Sequence, residues 1–184
     1  MIRQIQTAKL PMTPIEVIDT SVKIGLGALI SGAAAYFLAG LNHHREIEKE
    51  RLRRRRELFE EVAEQVERFT HIVLKLWGVM VGFVRSRSAG KAISEEVLND
   101  IRELKGSLFN AFGEMTSAES KLLLLGEEHC QELLRDYGEF VTNFKAESSI
   151  HNENLTETNL NDYRRTILEK RKALFTCLSS QYIR

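Results

Sequence analysis

The chain has 184 residues, with 26 Lys and Arg against 26 Asp and Glu and a formal net charge of zero. That length allows one domain and an appendage, and the charge balance excludes the global basic field that draws nucleic acid. Pro occurs only at Pro11 and Pro14, and Val, Ile and Thr nowhere alternate with period two, so the expected fold class is all-α.

Residues 1–23 read as a short extracytoplasmic N-terminus. Residues 24–41, IGLGALISGAAAYFLAGL, carry no charge. As a helix they span roughly 27 Å, close to the hydrocarbon thickness of a bilayer, and they read as a single transmembrane helix. A buried core helix or a cleaved signal peptide shares this look. The dense positive run that follows opposes export of a cleaved chain. Arg3, Lys9 and Lys23 precede the span, whereas Arg45, Lys49, Arg51, Arg53, Arg54, Arg55 and Arg56 follow it. The positive-inside bias therefore places the C-terminal side in the cytoplasm and the N-terminus outside, at the inner membrane if the source is bacterial. Within the span Gly27, Ser31, Ala35 and Ala39 recur every four residues, with Ala28 and Gly32 beside them. Such a stripe lets two backbones approach, so the span is expected to self-associate into a homo-oligomer.

Residues 42–58 read as a charged helical stalk. Arg51, Arg53, Arg54, Arg55 and Arg56 resemble a headgroup or nucleic-acid patch in isolation. Glutamates interleave with them at helical spacing, for example Glu50 with Arg54, Arg53 with Glu57 and Arg56 with Glu60. Such pairs favour a solvated helix, so these arginines are assigned to topology and headgroup contact, with no nucleic-acid partner.

Residues 59–184 are expected to form a cytoplasmic four-helix bundle, packed up and down. Phe59, Val62, Val66, Phe69, Val73, Leu76, Met80 and Phe83 are spaced 3, 4, 3, 4, 3, 4, 3, a continuous seam of heptad positions. The seam widens with Ile72, Trp77, Val79 and Val84, so its early part reads as a dimer seam and its later part as a bundle core. A break falls near residues 85–91, and Ser94 with Glu95 and Glu96 suits the next helix start. That second helix carries Val97, Ile101, Leu104, Leu108 and Met115. Thr116 with Glu119 resembles a capping box, which predicts a third helix beginning there. Gly126 and Gly138 mark either close packing or a break. A polar loop follows, and a last helix begins around Thr158.

Motifs for catalysis are missing: there is no GxSxG, no GxxxxGK[ST], no HExxH, no GxGxxG, and no Glu-x-x-His for a di-iron bundle. His129 beside Cys130 makes a poor ligand pair, because neighbours on a helix point about 100° apart. Cys130 is expected in the core with His129 outward. Cys130 and Cys177 form neither a CxxC nor a larger framework, which suggests free thiols in a reducing compartment. The expected function is a non-catalytic scaffold, sensor or partner-binding module on a membrane anchor. No cofactor, metal or small-molecule substrate is expected; the expected partners are the lipid bilayer, a second copy and a cytoplasmic protein. The alternative is a membrane effector, such as a toxin-like or defence-system subunit that perturbs the bilayer on assembly or release.

Overall fold

A computed structural model of the protein describes residues 14–182, with side-chain surroundings given at only some positions before Arg45. These residues form four helices and no strand: α1 (Pro14–Ser88), α2 (Glu95–Leu124), α3 (Glu128–Glu147) and α4 (Glu157–Tyr182). The chain divides into two compact units, Met1–Leu52 and Arg53–Arg184, with α1 contributing to both.

The described part of the first unit is one stretch of α1. Residues 24–41 are helical within it, and Leu29 and Tyr36 are exposed at 73% and 80%. The helical stretch Arg45–Ser88 is also long and apolar enough to cross a membrane by length and composition. Part of its apolar window is the buried core of the second unit.

The second unit is a bundle in which α1 is flanked by α2 and α4, with α3 across the core. Contacts fix the register. Along α2, Glu127 just beyond its end meets Arg55, Lys121 meets Glu61, and Glu114 meets Arg68. Along α4, Glu157 meets Arg85, Leu160 meets Trp77, Arg171 meets Glu67, and Tyr182 meets Glu60. In both series one number rises as the other falls, so both neighbours run antiparallel to α1. At the centre Phe69 packs edge-on against Phe112 of α2 and Tyr137 of α3, with centroids 5.1 and 5.7 Å apart. Edge-to-face contact at that distance suits the ring quadrupoles.

The helix ends follow from local chemistry. Ser94 caps α2 by accepting the Val97 N–H at 3.4 Å, with Glu95 and Glu96 in the first turn. After α1, Gly90 at φ +63° lets its own N–H reach the Arg87 carbonyl and the Lys91 N–H reach Ser86. Gly126 at φ +73° repeats the arrangement after α2, with the Gly126 N–H on Leu123 and the Glu127 N–H on Leu122. Both are Schellman ends, which need the left-handed conformation that glycine adopts at no steric cost. Before α4, the Thr156 hydroxyl accepts the Asn159 N–H while Asn159 Oδ1 accepts the Thr156 N–H, a reciprocal cap. Leu155 and Leu160, both buried, take the two positions of a hydrophobic staple around it.

Three expectations need correction. No helix begins at Thr116, because α2 continues through it to Leu124. The Thr116 hydroxyl donates back to the Phe112 carbonyl at 3.1 Å, as a threonine inside a helix does. Glu119 turns to α3 instead of capping. The early seam is not left over for a dimer, because Phe59, Val62 and Val66 are buried by the chain's own helices. The cysteines are not free thiols: Cys130 and Cys177 form a disulfide between α3 and α4, with Cα atoms 5.7 Å apart. Their separation of 47 residues hides the pairing from sequence spacing.

Candidate functional site

All eight seam residues, Phe59, Val62, Val66, Phe69, Val73, Leu76, Met80 and Phe83, are buried. Their 3–4 spacing keeps them on one stripe of α1, and the other three helices close over that stripe. The seam is thus the interior of the bundle. Trp77 lies at its edge, half-buried, donating Nε1–H to the Leu160 carbonyl at 2.9 Å under the Arg164 guanidinium.

The arginine run serves the bundle from Arg53 onward. Arg53 pairs with Glu57 at 3.1 Å and Arg54 with Glu57 at 3.2 Å. Arg56 lies over the Tyr182 ring. Arg55 reaches Glu127 at 2.5 Å and fastens the α2–α3 turn to α1. This last pair is the least exposed of the four and joins residues 72 apart, so no local spacing reveals it. Arg51 is exposed.

Of the small-residue stripe, Ser31, Gly32 and Ala35 are exposed within the single chain. The side chains of Gly27, Ala28 and Ala39, and residues 1–13, lie outside the described residues.

Several titratable groups are engaged in packing and in contacts between helices. Burial pushes the Tyr137 hydroxyl up to about 12, against a lowering contribution from the Thr70 hydrogen bond. Glu61 is held below the ordinary carboxylate value by the hydrogen bond and charge of Lys121. Burial raises Glu119, but hydrogen bonds from Gln131 and Arg135 outweigh it and leave the carboxyl low. Glu157 is lowered by its hydrogen bond to Arg85. Burial, reinforced by the nearby Lys145 charge, depresses the Lys105 ammonium. Glu67, one turn from His71, is engaged by Arg171. Among the described residues, no group of three or more His, Cys, Asp or Glu is placed to hold a metal ion.

Two surfaces among the described residues bear on binding. Phe109, Leu123 and Leu124 of α2 are exposed, the last at 83%. The run of four leucines thus buries Leu122 and turns the next two outward. Between α3 and α4 lies a groove of about 590 Å³, lined among others by His129, Leu133, Lys172, Thr176 and Cys177. His129 is exposed at its mouth, whereas Cys130 is fully buried. The arrangement offers a well-packed helical support, a covalent tie between two helices and an open groove beside that tie. Comparisons with protein-family models, with curated proteins and with solved structures find no match to this chain.

Proposed function

We propose that this protein is a self-associating single-pass membrane protein whose helical bundle is a non-catalytic scaffold or sensor that binds a protein partner. One observation supports this reading most. α1 holds both the uncharged residues 24–41 and the buried seam of residues 59–83, with no loop between them. An apolar stretch long enough to cross a bilayer is joined by helix alone to the spine of a folded bundle. The seven positive residues within residues 42–56, against three before the span, favour the bundle on the cytoplasmic side. The disulfide withdraws the support that free thiols would have lent to that side, so the orientation rests on the arginines.

Self-association is tested by cysteines introduced singly at positions 28 to 39 in a C130A/C177A background. Oxidative crosslinking in native membranes should peak at positions 31 and 35, one turn apart on the small-residue stripe. Absence of periodic crosslinking in membranes would remove the oligomer. Partner binding is tested by detergent pull-down of the full chain from its native membranes, with Phe109→Ser and Leu124→Ser as surface variants.

A further inference from the structure

We propose that the Cys130–Cys177 disulfide is an exchangeable redox clamp, opened by a small thiol that enters the α3–α4 groove and attacks Cys177. The bond ties the first turn of α3 to the last two turns of α4. The other ties between these helices lie further along, where Lys170 meets Asp136 and where Phe140 and Phe144 pack on Tyr163. Opening the bond therefore removes the covalent tie at one end of the helix pair, where Tyr182–Glu60 and Arg55–Glu127 hold each helix to α1 only by noncovalent contacts, and leaves the other end packed.

Access is unequal at the two sulfurs. Both cysteines are buried, but Cys177 lines the groove and keeps 8% exposure, whereas Cys130 has none. An attacking thiolate approaches the sulfur it can reach. Lys172 puts positive charge on the groove wall and Glu169 on the same helix balances it, so the lining carries no net negative charge to repel a thiolate. The attacking sulfur bonds to Cys177 Sγ, the Cys130–Cys177 bond breaks, and its electron pair leaves on Cys130 Sγ. Cys130 then takes a proton from solvent, since a bare thiolate is poorly placed in an apolar core. A second thiol cleaves the mixed disulfide at Cys177. Two monothiols are oxidised to one disulfide, and the protein gains two electrons and two protons as a dithiol.

A sensing role rests on the cytoplasmic placement proposed above, because disulfides in a reducing compartment are transient or redox-responsive ones. The test uses the full chain, purified oxidised in detergent and exposed to glutathione under native conditions. After acid quenching, peptide mass spectrometry should find the adduct on Cys177 and a free thiol at Cys130. On full reduction, hydrogen exchange should show loss of amide protection in the second turn of α3 and the last turns of α4, with none around Leu155 and Leu160. The C130A/C177A chain should exchange like the reduced protein. An adduct on Cys130, reaction only in denaturant, or identical protection in both redox states would overturn the clamp. Thiol trapping in intact cells should find the pair partly reduced. A pair that stays fully oxidised overturns the sensing role. A protease site at the C-terminus then locates the failure: cleavage from outside places it in the orientation, and protection places it in the clamp.

Discussion

Thr70 sits inside α1 with its hydroxyl donating to the Val66 carbonyl at 2.7 Å and meeting the Tyr137 hydroxyl at 2.9 Å. Since the threonine proton goes to the carbonyl, the tyrosine donates to threonine. The two residues then tolerate loss unequally. Tyr137→Phe removes a donor and leaves Thr70 bonded, at a cost of about 1 kcal/mol. Thr70→Val strands the Tyr137 O–H in the core, at roughly 1–3 kcal/mol. The double variant should cost less than the sum, because no polar atom is then left alone; urea unfolding of the four proteins measures the cycle. The same burial gives a sign for pH. The folded Tyr137 pKa is raised, to about 12, so its contribution is complete below the unfolded value and is lost as pH rises through the folded one. The seam beside it was legible because a 3–4 spacing is a local property of the chain. The Thr70–Tyr137 bond was not, because it joins residues 67 apart on different helices.

At the scale of the element, the continuation of α2 through Thr116 and its break at Gly126 have different causes. A Thr followed three residues later by Glu serves equally as a cap or as two residues of a helix interior, and only tertiary partners decide. Glu119 has Gln131 at 2.6 Å and Arg135 at 2.5 Å to bond, both on α3, so α2 continues. Gly126 is different, since its φ of +73° is required by the Schellman bonds that end α2. A Cβ there meets nothing within 4 Å, so the cost of Gly126→Ala is backbone strain alone, roughly 1–2 kcal/mol. Gly138, interior to α3 and equally uncrowded, should lack that penalty, and Gly138→Ala should stabilise by about 0.5–1 kcal/mol. Thermal unfolding of the two alanine variants should move in opposite directions, and movement in the same direction would contradict the assigned roles. The α2–α3 turn is further held by Arg55, a long-range partner that local spacing assigns to a stalk instead.

For the whole molecule, ion pairs between helices set the response to acid. Glu61, Glu119 and Glu157 each carry a lowered carboxyl, and each pairs with another helix, through Lys121, Arg135 and Arg85. A depressed folded pKa gives stability that is present above the unfolded value and lost as pH falls through the folded one. The bundle should therefore keep its melting midpoint from neutral pH down to about the ordinary carboxylate pKa and lose it below. Circular dichroism melts across the acid range check this, and a midpoint that rises on acidification would contradict it.

The proposed function puts part of α1 in lipid, and two stretches of the helix compete for that place. The stretch Arg45–Ser88 has the length and composition of a span, yet its seam is the core of the second unit. A core helix hides apolar side chains from water and lipid alike, so hydropathy alone does not separate it from a span. Residues 24–41 have no charge, and Leu29 and Tyr36 there are exposed. Helices pack over the seam of Arg45–Ser88, and that burial is the ground on which residues 24–41 are proposed as the span. The unit Arg53–Arg184 contains every helix that covers the seam. A chain beginning at Arg53 should therefore remain soluble without detergent, show full helical dichroism and unfold cooperatively in urea. The full chain should sediment with membranes and resist extraction by carbonate. Substituting Leu29 and Phe37 by Arg should release the full chain into the soluble fraction, since a charge at the centre of a span costs about 2.5–3.5 kcal/mol. If the shortened chain instead partitions into membranes, the seam is meeting lipid and the proposed division of α1 fails.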